Sequence, residues 1–199
     1  MLPPRLAPIQ VVAIPIYRGE EEFSAISECF EKLKKEFKDK GISFKYDDDD
    51  NRRPGWKFSE YETKGVPVRL AMGPRDLSNG KIEVARRDTK EKQILDFEGI
   101  VAHVENLLNE MQAGIFKNAL DFRNNSTVEV EDFESFKKAL KNGGFISAHW
   151  DGTSETEDKI KELTQATIRC ITLNLKKEEG ICVYSGKPSE GRVLFAKAY

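Results

Sequence analysis

Strand-like and helix-like apolar patterns alternate along the first half of the chain, and this alternation restricts the possible folds more than any other feature. The β-branched run at residues 11–16 (VVAIPI) suits a buried strand. Apolar residues then recur every three or four positions from Phe23 to Phe37, which predicts an amphipathic helix that ends at Gly41. The run ISFKY then resumes a strand. This order predicts an α/β domain with a mixed sheet flanked by helices.

The alternation continues to about residue 120. We predict a short helix in PGWKFSEYETKG, strands in VPVRLAMG and KIEVARRD, a turn-rich loop in GPRDLSNG, and a long helix from Phe97 to Leu120. The polar run RNNSTVEV breaks the pattern and predicts a domain boundary. We therefore expect an α/β domain at 1–122 and a small α+β domain at 123–199. The proline-rich residues 1–9 suit a linker, and we expect the natural chain to continue upstream.

Short elements also follow one another in the predicted second domain. We expect a helix around Phe136, a strand in FISAHW, and a helix in SETEDKIKELT with Ser154 as its N-cap. Three further strands are predicted in TIRCITL, ICVYSG and RVLFAKAY.

Several classes of protein and site are disfavoured by the sequence. No apolar run approaches the roughly 20 residues of a membrane span, and three cysteines without paired spacing do not suit a disulfide framework. We therefore predict a cytoplasmic protein without a membrane partner. No phosphate-binding glycine loop, nucleophile elbow or paired-histidine zinc motif is present, so we expect no catalysis by this segment. The acidic run Asp47–Asp50 is interpreted as a solvated turn, and the alternative is a metal site.

Basic charge is concentrated in one part of a chain whose net charge is only −2. Residues 52–92 contain eleven Lys or Arg against six Asp or Glu, a local excess of +5. Such a segment can bind phosphates, and arginine can also read a guanine edge. Trp56 and Phe58 either stack on unpaired bases or belong to the core, and the residues alone leave both possibilities open. A carboxylate such as Glu62 among basic residues can accept hydrogen bonds from guanine N1–H and N2–H, which favours base reading.

The segments RRPGWKFSEYETKGVPVRLAMGPRDL, AHWDGTSETEDKIKE, ATIRC and VLFAKAY resemble the C-terminal half of archaeal- and eukaryotic-type prolyl-tRNA synthetases. The resemblance implies a class II anticodon-binding domain followed by a small C-terminal domain that often binds zinc. The whole enzyme would join proline to tRNA(Pro) with ATP and Mg²⁺, and its catalytic domain would lie upstream of this chain. The implied partners are tRNA(Pro), that catalytic domain and a second copy in a homodimer. No cofactor is expected in this segment itself.

The resemblance also implies which residues bind the anticodon. Glu62 and Arg69 correspond to the pair that reads the guanines, and Trp56 and Phe58 hold the reading surface in place. The other residues expected at the anticodon are basic: Arg52, Arg53, Lys57, Arg75, Arg86 and Arg87.

Zinc-binding members of this family carry four cysteines in the C-terminal domain, and this sequence departs from that pattern. The four positions hold Asp151, Thr156, Cys182 and Ser185. One thiol, one carboxylate and two hydroxyls do not suit structural zinc, which takes four Cys or His ligands. We therefore expect no zinc, with Cys170 and Cys182 as packed thiols. The last residue, Tyr199, corresponds to a tyrosine that reaches toward the catalytic domain.

One other function fits the same fold. A free-standing module could use it to bind a protein partner. A protein interface has little use for a segment with an excess of +5, so the distribution of charge favours tRNA recognition.

Overall fold

The computed structural model describes residues 1–173 and 178–197, and the chain divides into two compact units, 1–117 and 118–199. The boundary predicted between residues 122 and 123 stays a prediction. Tyr199 lies outside the described residues, so the expected role of this residue is not addressed by the structure.

The first unit is built on a five-stranded sheet with the order β2-β1-β3-β4-β5. The strands are β1 (Val11–Pro15), β2 (Phe44–Tyr46), β3 (Val68–Met72), β4 (Lys81–Arg86) and β5 (Lys92–Asp96). Strand β1 is parallel to both β2 and β3, whereas β4 is antiparallel to β3 and β5 is antiparallel to β4. The predicted mixed α/β architecture is therefore confirmed.

Helices cover this sheet on both faces. The helices of the unit are α1 (Glu20–Asp39), α2 (Pro54–Thr63), α3 (Pro74–Ser78) and most of α4 (Ile100–Asn125), whose last residues, 118–125, belong to the second unit. The apolar stripes of α1 and α4 form the main core with alternate residues of β1, β3 and β4. The opposite side chains of β1, Val12 and Ile14, pack with Tyr61 of α2 and with Val66. Helix α2 thus covers the second face of the sheet.

Two elements of this unit differ from the sequence prediction. The segment GPRDLSNG forms α3 instead of a loop, because Pro74 suits the first turn and the Asp76 carboxylate accepts a hydrogen bond from the Gly73 N–H at 3.0 Å. Strand β5 was not predicted. It lies at the edge of the sheet with mostly exposed side chains, so its sequence KQILD carries too weak an alternation to be recognised.

Residues 1–9, predicted as a linker, are partly folded. Pro4–Leu6 form a short 3₁₀ helix. The Leu2 N–H donates to the Gly65 carbonyl at 3.1 Å, and the Arg5 N–H donates to Gln112 Oε1 at 3.1 Å. These hydrogen bonds hold the segment against the first unit.

The second unit contains a four-stranded sheet with the order β6-β7-β11-β8 and a small two-stranded sheet of β9 and β10. Its elements are β6 (Thr127–Glu129), α5 (Phe133–Leu140), β7 (Phe145–His149), α6 (Ser154–Thr164), β8 (Ala166–Cys170), β9 (Gly180–Ile181), β10 (Pro188–Ser189) and β11 (Arg192–Lys197). This is the predicted small α+β arrangement. The core is formed around Phe136, Ile146, Ile160 and Phe195.

Three local predictions for this unit were wrong. Strand β6 was missed because it has three residues. Most of ICVYSG forms a turn, in which the Gly186 N–H donates to the Cys182 carbonyl at 3.1 Å. The N-cap of α6 is Thr153, whose side chain accepts a hydrogen bond from the Thr156 N–H, and Ser154 is the first helical residue.

Within the described residues, none of the helices combines the length and the apolar character that crossing a membrane requires.

Candidate nucleic-acid interface

A surface cavity of about 180 Å³ lies in the first unit, beside the end of α2 and against the sheet face that this helix covers. The cavity is lined by Phe58, Tyr61, Glu62, Val66, Arg69, Ala85, Arg86, Arg87, Lys90 and Lys92. Its volume is below the roughly 300–1,000 Å³ of pockets for drug-sized ligands, so it suits a smaller chemical group. Four of the eight predicted site residues (Glu62, Arg69, Arg86 and Arg87) meet here.

Strand register creates the cavity. Arg69 of β3 is paired with Ala85 of β4, and Ala85 is paired with Lys92 of β5. The three side chains therefore lie in a row on one face of the sheet. Because alanine has only a methyl group, a gap remains between the two cationic residues.

Arg69 is buried, with only 6% of the residue exposed, and its guanidinium is held on two sides. Nη2 lies 2.9 Å from Oε1 of Glu83, and the guanidinium carbon lies 3.7 Å from the centre of the Phe58 ring. Among the described residues, Nη1 of Arg69 is buried and has no hydrogen-bond partner. Buried polar groups are normally paired, so this nitrogen is a donor that the described protein groups leave unused.

Glu62 lies at the same cavity, in the last turn of α2, and is exposed. Its carboxylate makes no ion pair or hydrogen bond with any residue that the structure describes. Arg87 Nε donates to the main-chain carbonyl of Glu62 at 3.3 Å, which connects the β4 end of the cavity to α2. A free carboxylate and a buried guanidinium therefore face the same small space.

The cations around the cavity differ in how strongly they are paired. Arg86 binds the Asp88 carboxylate through both Nε and Nη2, at 2.8 and 2.7 Å, and this pairing holds the pKa of Asp88 below its usual range. Lys90 and Lys92 are exposed, with no ion pair among the described residues. Neither lysine was predicted as a site residue. Recognising them required β5, whose register brings Lys92 opposite Ala85.

Lys57 was predicted to contact RNA, and the structure places it in the interior instead. Only 3% of the residue is exposed. Its Nζ lies 2.9 Å from the main-chain oxygen of Asp47 and 3.1 Å from the Asp47 carboxylate. The expected RNA contact of Lys57 stays a prediction, and this geometry does not support it. Asp47, interpreted as part of a solvated turn, is likewise buried.

The remaining predicted residues lie away from the cavity. Arg52, Arg53 and Arg75 are exposed, and none of them lines the cavity. The guanidinium of Arg52 stacks over Trp56, 4.7 Å from the ring centre. The two aromatic residues thus differ: Trp56 is 48% exposed, whereas Phe58 is half-buried and supports Arg69.

Two parts of the chain match models of known protein families. Residues 10–107 match the family model described as anticodon binding domain, and residues 133–199 match the model described as prolyl-tRNA synthetase, C-terminal. The chain carries the anticodon-binding and C-terminal domains of a prolyl-tRNA synthetase.

Curated relatives of these prolyl-tRNA synthetase domains are named proline–tRNA ligase. The chain is 55% identical to the protein of Christiangramia forsetii, and 57% identical to those of Flavobacterium psychrophilum and Parabacteroides distasonis. Each alignment covers 100% of this chain and 40–41% of the relative, so the chain spans about two fifths of their length. These relatives are bacterial, and the expected archaeal and eukaryotic type is not confirmed by them.

The C-terminal domain holds a hydrogen-bonded cluster at three of the four positions that correspond to cysteines of zinc-binding members, namely Asp151, Thr156 and Ser185. Oδ2 of Asp151 accepts hydrogen bonds from the hydroxyls of Thr156 at 2.8 Å and Ser185 at 2.6 Å. Its Oδ1 accepts from the Thr153 hydroxyl and N–H, at 2.8 and 3.1 Å. The residues present do not fit zinc, because they offer one thiol, at Cys182, and both carboxylate oxygens already accept hydrogen bonds from hydroxyl and N–H donors.

The two cysteines of this domain differ in their exposure to solvent. Cys182 is buried, as predicted, but Cys170 is exposed at the end of β8, so the prediction of a packed thiol was wrong there. Among residues 1–173 and 178–197, no three His, Cys, Asp or Glu side chains come together in a way that could hold a metal ion.

The Asp151 cluster predicts acid-sensitive stability. Burial alone raises the pKa of Asp151, but hydrogen bonds from Ser185, Thr156 and Thr153 outweigh it and lower the pKa from 3.8 to about 2. A lowered folded-state pKa stabilises the fold above pH about 4, and this stabilisation is lost as the pH falls toward 2. Its size is on the order of 1–2 kcal/mol.

Urea unfolding checks this expectation in a Trp56→Phe background, where Trp150 reports on the second unit. Asp151→Asn is expected to be less stable than its parent by on the order of 1–2 kcal/mol at pH 7, and the difference should shrink at pH 3. Asp158→Asn, an exposed carboxylate on α6, is the matched control with little effect. A difference that stays constant between pH 7 and pH 3 would contradict the role of the carboxylate charge.

Proposed function

We propose that this chain recognises the anticodon of tRNA(Pro) within a proline–tRNA ligase, and that the intact enzyme attaches L-proline to tRNA(Pro) with ATP and Mg²⁺. The observation that carries the proposal is the cavity in the anticodon-binding domain. The guanidinium of Arg69, which is held by Glu83 and Phe58, lies there beside the free carboxylate of Glu62. The names of the curated relatives support the same function.

Guanine matches both groups. Its major-groove edge offers the acceptors N7 and O6, which arginine reads better than any other side chain. Its N1–H and N2–H are donors that only an acceptor such as a carboxylate can satisfy. Arg69 and Glu62 supply one group of each kind, so together they select guanine over bases with a different donor and acceptor order. The family resemblance implies that these two residues read guanine, and the donor and acceptor groups described above state how each of them would do so.

Phosphate binding is assigned to the cations at the rim of the cavity. Arg87, Lys90 and Lys92 line it with exposed or half-exposed side chains. Arg86 contributes less than predicted, because its guanidinium is already paired with Asp88. Contacts to phosphate attract RNA without regard to sequence, whereas the contacts of Arg69 and Glu62 carry the discrimination.

The wider setting of this function is part of the proposal. The relatives are more than twice as long as the chain, which supports an upstream catalytic domain as a partner. We place the enzyme in the cytoplasm as a homodimer, in line with the sequence prediction.

Binding to two tRNA(Pro) transcripts tests the function. One transcript carries the native anticodon, and the other has its guanines replaced by adenines. At fixed and stated salt, we expect the native transcript to bind at least about 10-fold more tightly, as one well-made arginine–guanine contact provides. Equal affinity for both would reject anticodon recognition. Absence of binding to either would favour a module that binds a protein partner.

Filling the cavity should have the same effect as removing the guanines. Ala85→Leu places a larger side chain between Arg69 and Lys92 without changing any charge. We expect it to weaken binding of the native transcript by about 10-fold, while the substituted transcript keeps its affinity. Ala102→Leu, at an exposed position of α4, is the matched control and should leave both affinities unchanged. If Ala85→Leu retains full discrimination, guanine is read elsewhere.

A further inference from the structure

We propose that Glu83 is a positioning residue for anticodon discrimination, which acts by holding the guanidinium of Arg69. This inference rests on the proposed function of the cavity. Glu83 does not line the cavity itself. It lies on β4, two residues before Ala85 and therefore on the same face of the sheet, diagonally across from Arg69.

The contact between Glu83 and Arg69 is suited to holding one orientation. Oε1 of Glu83 lies 2.9 Å from Nη2 of Arg69, and the side chains are 31% and 7% exposed, respectively. Phe58 packs against the guanidinium at 3.7 Å. A planar group that is stacked on a ring and paired at one nitrogen retains little rotational freedom. Among the described residues, Nη1 of this held group is buried without a hydrogen-bond partner.

Preorganisation of this kind improves selective binding, because the cost of ordering a long side chain is not incurred when the ligand binds. Without Glu83, Arg69 would keep its charge but lose its fixed direction. A cation in many orientations still attracts phosphate, yet it distinguishes poorly between base edges.

A simple charge effect of Glu83 predicts the opposite result. Glu83 carries a negative charge near a surface that binds a polyanion, so its removal should strengthen binding of every RNA. Positioning predicts instead that only the native transcript loses affinity. The two explanations are therefore separated by the direction of the change.

The test uses the whole 199-residue chain and the same two transcripts. Glu83→Thr keeps a residue that favours strands but is too short to reach Arg69. We expect Glu83→Thr to reduce discrimination between the transcripts by about 10-fold, whereas Glu83→Gln, which retains an oxygen at the Oε1 position, should restore most of it. Glu91→Ala removes an exposed carboxylate from the β4–β5 connection and is the matched charge control, with discrimination unchanged.

A double variant gives a second test of the positioning role. If Glu83 acts only through Arg69, then Arg69→Ala combined with Glu83→Thr should discriminate no worse than Arg69→Ala alone. Wild-type discrimination that persists in Glu83→Thr overturns the positioning role and leaves the proposed function intact. A wild-type chain that does not discriminate overturns the proposed function and this inference with it. If Glu83→Thr fails to fold, Glu83→Val, which also favours strands, is tested in its place. Reduced discrimination in Glu83→Val supports the positioning role, and wild-type discrimination overturns it.

Discussion

Lys57→Met is expected to destabilise the anticodon-binding domain by about 3–5 kcal/mol, the cost of leaving one partner of a buried ion pair without the other. The ammonium of Lys57 contacts both the carbonyl and the carboxylate of Asp47, and the Lys57 and Asp47 side chains are only 4% and 12% exposed. Methionine has a similar length and fills the same space, so the expected loss of stability reflects the removed charge and not a change in side-chain volume. Tyr61 lies beside the same carboxylate: burial and its hydrogen bond with Asp47 raise the pKa of Tyr61 far above the ordinary value.

Urea unfolding in a Trp150→Phe background measures this effect, because Trp56 then remains as the only tryptophan and lies next to Lys57. Lys64→Met is the matched control. Lys64 caps the same helix and pairs with Glu60 at 2.8 Å, but its side chain is 52% exposed. An exposed pair of this kind contributes under about 0.5 kcal/mol. Equal losses in the two variants would contradict a special role of the buried pair.

The compensating variant strengthens the test. Asp47→Asn combined with Lys57→Met removes both charges, so no buried carboxylate is left without a partner. We expect the double variant to recover part of the stability lost in Lys57→Met. Further loss would show that Asp47 stabilises the domain mainly through contacts other than the ion pair.

Arg69→Ala is expected to abolish most discrimination between the native and guanine-substituted transcripts, a change of about 10- to 100-fold in their affinity ratio. The reason is specific to this guanidinium. It is buried and held by Glu83 and Phe58, and its Nη1 is unpaired among the described residues. The affinity for the substituted transcript should change little, since that RNA lacks the guanine edge.

Arg75→Ala is the matched control for Arg69→Ala, because it removes the same charge from an exposed position of α3 outside the cavity. We expect it to preserve discrimination. Arg87→Ala completes the series. If Arg87 contacts phosphate, both affinities should fall together, and the dependence of log K on log salt should become less steep by about one charge. A loss of discrimination in Arg75→Ala equal to that in Arg69→Ala would refute base reading by Arg69.

The elements that the sequence predicted correctly are those whose patterns are local. The apolar run of β1 is buried at every position, and the stripe from Phe23 to Phe37 forms the buried face of α1. These patterns reflect burial of the element itself, on both faces for β1 and on one face for α1, and they can be recognised without knowing which residues pack against it. Strand β5 was missed because it is an edge strand with exposed side chains, and its existence depends on pairing with β4.

The burial of Lys57 could have been anticipated from helical spacing. Position 57 precedes Tyr61 by four residues in a predicted helix, so the two residues share a face. Tyr61 is buried against β1, and Lys57 is directed to the same side, where Asp47 neutralises its charge. What the spacing does not show is that the partner comes from the end of β2, ten residues earlier.

Local patterns along the chain were enough to predict an α/β unit followed by a small α+β unit, to place the excess of basic charge between residues 52 and 92, and to identify motifs that resemble a prolyl-tRNA synthetase. They could not show which of those charges are free, because that depends on contacts made in the folded protein. Lys57 is neutralised by Asp47, and Arg69 is held by Glu83. Pairing of β5 with β4 brings Lys92 to the cavity, which Lys90 of the β4–β5 connection also lines. Charge is a property of each residue, but its availability depends on partners that the fold brings together from distant positions.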